Sequence, residues 1–139
     1  MKIQLLPFDQ EFLETIEGHE NIVIDKAGVY HVFSVDSEPA GVVGFLPLQD
    51  RQSEGRQGFV QIVISNTYRG KGLVQKAEDL LAQEYDLIVL YATIDEKNKA
   101  SIQAHLKAGF ELENPGKVEW LKQSGKLKKN QTRLKKDYY

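Results

Sequence analysis

Residues 66–72 read Asn66-Thr67-Tyr68-Arg69-Gly70-Lys71-Gly72, and a helical apolar pattern starts at Leu73. Two glycines ahead of a helix N-terminus make an anion site. The first N–H groups of a helix have no partner within it, and the helix dipole adds partial positive charge at that end. The missing Cβ at Gly70 and Gly72 lets a phosphate approach the backbone. Arg69 and Lys71 add formal charge. The run is not a Walker loop, which needs Gly-x-x-x-x-Gly-Lys-Ser/Thr. It is not a dinucleotide fingerprint either, because Gln75 stands at the third glycine position. Alone, the two glycines also read as a tight turn that caps a helix.

The elements around this loop give it a setting. Phe59–Ile64 reads as a strand with Gln61 its only polar residue. After the loop, Leu73, Val74, Ala77, Leu80 and Leu81 repeat at helical spacing, and Leu87–Ile94 is a strongly apolar strand. A strand–loop–helix–strand unit predicts a parallel pair joined by a right-handed crossover. Asn98 opens a second helix to about Ala108, with Gly109 at the position of a C′ glycine. Upstream, Ile3–Leu6 is a strand, and Asp9 caps a helix to about Glu17 with Phe8 and Leu13 placed as a hydrophobic staple. Val29–Val35 and Ala40–Leu46 follow as strands around the turn Asp36-Ser37-Glu38-Pro39. Gly41 and Gly44 inside the second of them mark a bulge or a close approach. Asp50–Gly58 reads as a polar hairpin loop. Phe110–Leu112, Val118–Leu121 and Thr132–Tyr138 are expected strands, with a turn at Ser124-Gly125. The order predicts a mixed α+β layer fold.

The loop, the strand before it and the later Asn98, Ser101 and Lys107-Ala108-Gly109-Phe110 together resemble the GNAT superfamily of acetyl-CoA-dependent N-acyltransferases. The pyrophosphate loop of that family reads Gln/Arg-x-x-Gly-x-Gly/Ala, and here it reads Arg69-x-x-Gly72-x-Val74. The resemblance covers nearly the whole chain and implies one domain over residues 1–139. It implies a mostly antiparallel central sheet flanked by helices, with a parallel strand pair around the coenzyme A site. It further implies that the backbone of Ile62, Val63 and Ile64 pairs with the pantetheine arm and polarises the thioester carbonyl. Arg69, Gly70, Lys71, Gly72, Leu73 and Val74 would hold the pyrophosphate, and Asn98 would reach the pantetheine or orient its helix. An amine would then attack the thioester directly in a ternary complex.

Two positions depart from the family pattern. Val74 replaces Gly or Ala, and its branched side chain either crowds the pyrophosphate or points into the core, the reading that its place on the apolar helix face favours. His105 stands five residues before Phe110, where the family often has the Tyr that protonates the leaving thiolate. A neutral imidazole can donate an N–H there, and the competing reading is that His105 packs beside Leu106. No general base is assigned. Gln61 cannot take a proton, and Glu54 reads first as a solvated loop carboxylate.

Composition narrows the classes. The 139 residues include no cysteine, which excludes a disulfide scaffold, a thiolate metal site and a cysteine nucleophile. His19 and His31 lack partners at ligand spacing, so no metal is expected. Ser65 and Ser101 lack a nucleophile setting. No apolar run approaches the roughly 20 residues of a membrane span, and Pro7 and Asp9 interrupt any secretory apolar region. A cytoplasmic protein is the expectation.

Residues 117–139 hold eight Lys/Arg against two Asp/Glu, a net of +6, whereas residues 1–116 carry −8. The basic segment reads as a solvated edge strand guarded by lysines. Contact with the coenzyme A 3′-phosphate is the second reading and nucleic acid the third. Trp120 reads as core or sheet-face packing. The acidic body favours a cationic amine by steering. Expected partners are acetyl-CoA and an amine acceptor, with a homodimer a possible assembly and no membrane. The rival reading is a coenzyme-A-binding module with weak catalysis.

Overall fold

The computed structural model describes residues 1–48 and 56–138. Seven strands form one sheet in the order β1-β2-β3-β4-β5-β7-β6. They are β1 (Ile3–Pro7), β2 (Val29–Val35), β3 (Glu38–Pro47), β4 (Arg56–Ile64), β5 (Leu87–Asp95), β6 (Glu111–Leu112) and β7 (Gln131–Asp137). Every neighbouring pair is antiparallel except β4 and β5, which run parallel as the crossover predicts.

Four helices connect them: α1 (Gln10–Glu14), α2 (Leu73–Glu84), α3 (Lys99–Lys107) and α4 (Pro115–Gln123). Their ends follow the local chemistry. Asp9 accepts from Phe12 N at 3.1 Å, and Asn98 accepts from Ser101 N at 3.1 Å. Gly109 takes φ +96°, the left-handed C′ geometry. Helix α1 is shorter than expected, and the chain passes through Gly18 (φ +92°) into a 3₁₀ turn at His19–Asn21.

The two faces of the sheet bury separate cores. Leu73, Ala77 and Leu81 of α2 pack with Val43, Val60, Leu90, Ala92 and Leu134 on one face. Leu13 and Ile16 pack with Val32, Val42 and Val63 on the other. This alternation follows from the period-two geometry of strands.

Four expectations need correction. Val118–Leu121 is not a strand but part of α4. Asn114 accepts from Gly116 N at 2.8 Å and Pro115 occupies the first turn, an N-cap and proline signal that overrides the strand reading. Trp120 is consequently not in a core. It is 54% exposed, with Lys126 Nζ 5.2 Å from its ring. Strand β7 is not the sheet edge, since β6 pairs with it at Lys135 and Leu134. Of the expected loop Asp50–Gly58, residues 56–58 belong to β4, and residues 50–55, Glu54 included, lie outside the described residues.

Gly41 marks a close approach. A Cβ there would collide with the Val63 carbonyl and lie 2.7 Å from the Phe33 ring, and the register of β2 shifts between Phe33 and Ser34 opposite it. Gly41→Ala should therefore lower stability by about 1–3 kcal/mol, the usual cost of overpacking. Urea unfolding checks this, and an unchanged midpoint would contradict the packing.

Candidate functional site

Strands β4 and β5 pair only from Arg56 to Phe59 on one side and Leu87 to Tyr91 on the other. Beyond the pair Phe59–Tyr91 they part. Strand β4 continues to Ile64, held by β3 as far as the pair Gly41–Ile64. Strand β5 continues to Asp95, held by β7 as far as Gln131. Each strand keeps its outer neighbour, so the two can separate without either leaving the sheet. The result is a wedge with its apex at Phe59 and Tyr91. Among the described residues, the edge of β4 from Val60 onward has no strand partner on that side. Crevices at the C-terminal ends of parallel strands are common ligand sites.

The glycine loop follows the end of β4 at the mouth of this wedge. Ser65 N donates to Ala40 O at 2.8 Å, then one 3₁₀ turn (Asn66–Tyr68) leads to Arg69. Arg69 donates Nε to Ile64 O at 2.8 Å and a guanidinium N–H to Glu17 O at 2.5 Å. It thus ties the loop to the end of β4 and to the turn after α1, so its hydrogen bonds face the protein. Gly70 and Gly72 take φ +76° and +73°, conformations that favour glycine. A Cβ at either would meet nothing within 4 Å, so the space above both is open. Gly72 caps α2 without any side-chain bond, leaving the first N–H groups of α2 without a capping side chain. Lys71 Nζ lies 5.6 Å from the Tyr68 ring. Leu73 is buried, and Val74 packs against the core as its helical position predicts.

Ile62 and Ile64 pack toward α2, and Val63 faces the α1 side. Their shared backbone edge borders the wedge. Asn98 sits just past β5 as the cap of α3.

His105 is 4% exposed and lies between α3 and α2. Its Nδ1 donates to Ser101 O at 2.8 Å, and its Nε2 meets Glu78 Oε2 at 2.8 Å. Glu78 is fully buried on the apolar face of α2, with Oε1 unpartnered among the described residues. Burial pushes the Glu78 carboxyl above its usual range and outweighs the His105 hydrogen bond and charge that pull it down. Burial acts against the charged imidazole, but the hydrogen bond and charge of Glu78, with the Ser101 carbonyl, together raise His105. Both shifts say that the pair holds its proton to higher pH than the separate groups would.

On the other face of the sheet, Phe59 and Tyr91 stand side by side with ring centroids 5.7 Å apart. Tyr91 donates to Gln57 Oε1 at 3.2 Å. The Arg133 guanidinium lies 4.9 Å from the Phe59 ring and 5.9 Å from the Tyr91 ring, and donates Nε to Thr93 Oγ1 at 3.0 Å. Gln61, two residues along from Phe59, accepts from Val23 N at 2.9 Å and pins the segment after the 3₁₀ turn against β4.

The structure therefore gathers Ile62, Val63, Ile64 and residues 69–74 around one wedge, and places Asn98 at the head of the adjoining helix. Sequence reasoning missed Glu78 and Arg133. A glutamate on the core face of α2 was a visible signal for the first, whereas only pairing with β5 reveals the second. The basic segment is less solvated than expected. Lys136 Nζ donates to Asp79 Oδ1 at 2.8 Å and to Ala108 O at 2.6 Å, and Lys122 pairs with Glu96 at 2.7 Å. Among the described residues, no group of three or more His, Asp or Glu is placed to hold a metal ion, and no helix is long and apolar enough to cross a membrane.

The buried pair has a pH signature. Unfolded, Glu78 and His105 release both protons by about pH 7; folded, the pair retains one. Stability should be highest below the ordinary glutamate value of 4.5, where both groups are protonated in either state, and fall as pH rises through the raised folded values of the pair. Urea midpoints at pH 6 and pH 9 check the sign, and the fall should shrink in the double variant Glu78→Leu, His105→Leu. Either single variant should cost about 3–5 kcal/mol, because it strands a buried partner.

Comparison with known proteins now identifies the lineage. Residues 3–110 match the model of the acetyltransferase (GNAT) family. The spermidine N(1)-acetyltransferase of Escherichia coli is 30% identical over 109 residues, which are 75% of this chain and 56% of that protein. The chain thus spans about half the length of the curated relatives it matches. The Campylobacter jejuni N-acetyltransferase PseH, solved in complex with acetyl coenzyme A, superposes with a TM-score of 0.67 at 12% identity, covering 99% of this chain and 100% of that one. The GNAT domain of S. lividans PAT superposes with a TM-score of 0.67 at 11% identity, over 97% and 89%. These two likenesses concern the fold. A parted parallel strand pair, a glycine loop at its mouth and the matched family model agree that the chain belongs to the GNAT family of acetyltransferases.

Proposed function

We propose that the protein transfers an acetyl group from acetyl-CoA to a primary amine. The observation that carries this reading is the unpaired edge of β4 leading to an open, glycine-lined helix N-terminus. Acetyl-CoA supplies an acyl group on a good leaving thiolate. Its shape fits what this chain presents. A pyrophosphate would take the open space over Gly70 and Gly72 at the N-terminus of α2, where Lys71 adds charge. The amide-bearing arm would add to the free edge of β4 at Ile62–Ile64 as an extra strand does. Arg69 supports the loop from behind, through Ile64 O and Glu17 O. Asn98 keeps α3 in place as its cap.

The arm then points its thioester toward the apex, where a backbone N–H of β4 can polarise the carbonyl. The amine nitrogen attacks that carbon and forms the amide bond; the carbon–sulfur bond breaks, and sulfur leaves with its electron pair. The amine loses one proton and the thiolate gains one, so no other reactant is required. Both ring nitrogens of His105 are engaged, at Ser101 and Glu78. That favours a positioning role for His105, bracing α3 against α2, over direct donation to the thiolate. The relatives named spermidine N(1)-acetyltransferase and the net charge of −8 on residues 1–116 are compatible with an amine acceptor.

Two experiments test this reading. Asparagine tolerates φ > 0 better than other side chains, so Gly72→Asn should keep the fold while filling the phosphate space. It should weaken acetyl-CoA binding by about tenfold or more, equivalent to about 1.4 kcal/mol. Calorimetry measures this, with desulfo-CoA and ATP alongside, and unchanged affinity in a folded variant would remove the loop from the site. His105→Gln should lower stability and acetyl-CoA affinity together. A loss confined to kcat, with an altered alkaline limb of the pH profile, would instead make His105 the acid.

A further inference from the structure

The acyl-donor reading leaves the second substrate open, and the apex of the wedge bears on it. Phe59 and Tyr91 are the last paired residues before β4 and β5 part, so their side chains floor the place where the thioester would stop. Alternation along the strands sets which side they face. Val63 packs with α1, which puts Gln61 and Phe59 on that face; Leu90 and Ala92 pack with α2, which puts Tyr91 and Thr93 opposite them. Arg133 pairs in register with Thr93 and shares this face. Neither Phe59, Tyr91 nor Arg133 belongs to either core. All three are half-buried, on the side of the sheet away from α2 and α3.

Arg133 is a cation held in a fixed orientation at this spot. Two aromatic rings lie within about 6 Å of it, and Nε is fixed by Thr93. Among the described residues it makes no ion pair, whereas Lys122, Lys135 and Lys136 each do. Glu113 lies near enough to influence its charge but is ion-paired with Lys117, at 3.7 Å. A guanidinium that is partly desolvated, oriented and in no carboxylate ion pair among the described residues presents a planar fork of donors suited to a carboxylate. Its neighbours on the same face of β7 are Gln131, which is uncharged, and Lys135, a cation paired with Asp137 at 3.7 Å. A polyamine at this spot would meet the unpaired Arg133 cation, since Glu113 and Asp137 are already paired with Lys117 and Lys135.

We propose that the acceptor is a small amine that also carries a carboxylate, with Arg133 binding the carboxylate while the amine reaches the thioester at the apex. The proposal rests on the acetyl-transfer reading above and narrows its acceptor class. Because the Arg133 guanidinium lies 4.9 Å and 5.9 Å from the two apex rings, the carboxylate must lie a few bonds from the amine, as in a free amino acid. The acidic character of residues 1–116 steers at long range, but the charge in contact decides binding once the acceptor has arrived.

The test uses the full chain with acetyl-CoA and follows released thiol. The acceptors are the free L-amino acids, each beside its own amide, and spermidine as an amine without a carboxylate. At least one amino acid should exceed its amide and spermidine in kcat/KM by about tenfold or more, as expected for loss of a charged partner. In Arg133→Gln the preference should collapse to about twofold through KM, with acetyl-CoA affinity unchanged by calorimetry. Arg133→Lys, which keeps the charge but not the fork, should retain an intermediate preference and guards against a folding defect in the first variant. Preference for an amide or for spermidine would overturn the proposal. So would a preference that survives Arg133→Gln, or no turnover of any amino acid by protein that binds acetyl-CoA. Failure of the unaltered protein to bind acetyl-CoA at all would strike the donor reading instead, so the two failures are distinguishable.

Discussion

The separation of β4 from β5 is the constraint on which the rest depends. A parallel pair that stayed zipped to its end would leave no free backbone edge and no crevice. The pair can open because each strand satisfies its hydrogen bonds on the outer side, β4 with β3 and β5 with β7. Opening exposes polar backbone along β4, which is costly unless water or a ligand pairs with it. A ligand that carries amides in an extended arm answers that need, and the loop at the mouth adds an anion site in line with it.

The two helices that start at this mouth are held together by a polar contact rather than by apolar packing alone. Glu78 and His105 form a buried pair between α2 and α3. A buried pair of this kind contributes little net stability, because desolvation cancels most of the attraction, yet removing one partner is expensive. It fixes which rotamers and which helix register are acceptable. Close by, Asp79 accepts from Lys136 and from the Tyr138 hydroxyl, which ties α2 to the last strand and its extension. Helix α2 is therefore located by specific polar contacts on two sides, and its N-terminus is the part that would meet the phosphates.

The two faces of the sheet divide the labour. One face is filled by α2 and α3 over the larger core. The other is covered by α1 only across β2 to β4, through Val32, Val42 and Val63. The remaining part, around Phe59, Tyr91 and Arg133, stays half-exposed. A transfer reaction between two substrates needs access from two directions. The donor would enter along the wedge, and the open face leaves a separate approach to its apex.

Much of this was written in the sequence. The glycine loop, the helix that follows it, the caps at Asp9 and Asn98, the left-handed turn at Gly109 and the parallel β4–β5 pair all rest on local patterns, because caps, turns and short crossovers are decided by neighbouring residues. The close approach at Gly41 was legible for the same reason, since glycine inside an apolar strand signals a tight neighbour. Where local signals competed, the reading failed: Val118–Leu121 alternates like a strand, but the Asn114-Pro115 start makes it α4. What the sequence could not contain is which distant residues meet. The parting of β4 and β5 depends on strands brought from either side. Arg69 anchors the loop only because the turn after α1 lies against it. His105 finds Glu78, and Arg133 finds Phe59 and Tyr91, because the sheet and its crossovers bring residues 27, 74 and 42 positions apart into contact. The sequence by itself thus determined the donor loop and its frame. The partners of its charged groups, and with them the character of the acceptor side, were decided by tertiary pairing, because electrostatic partnership is a property of proximity in space.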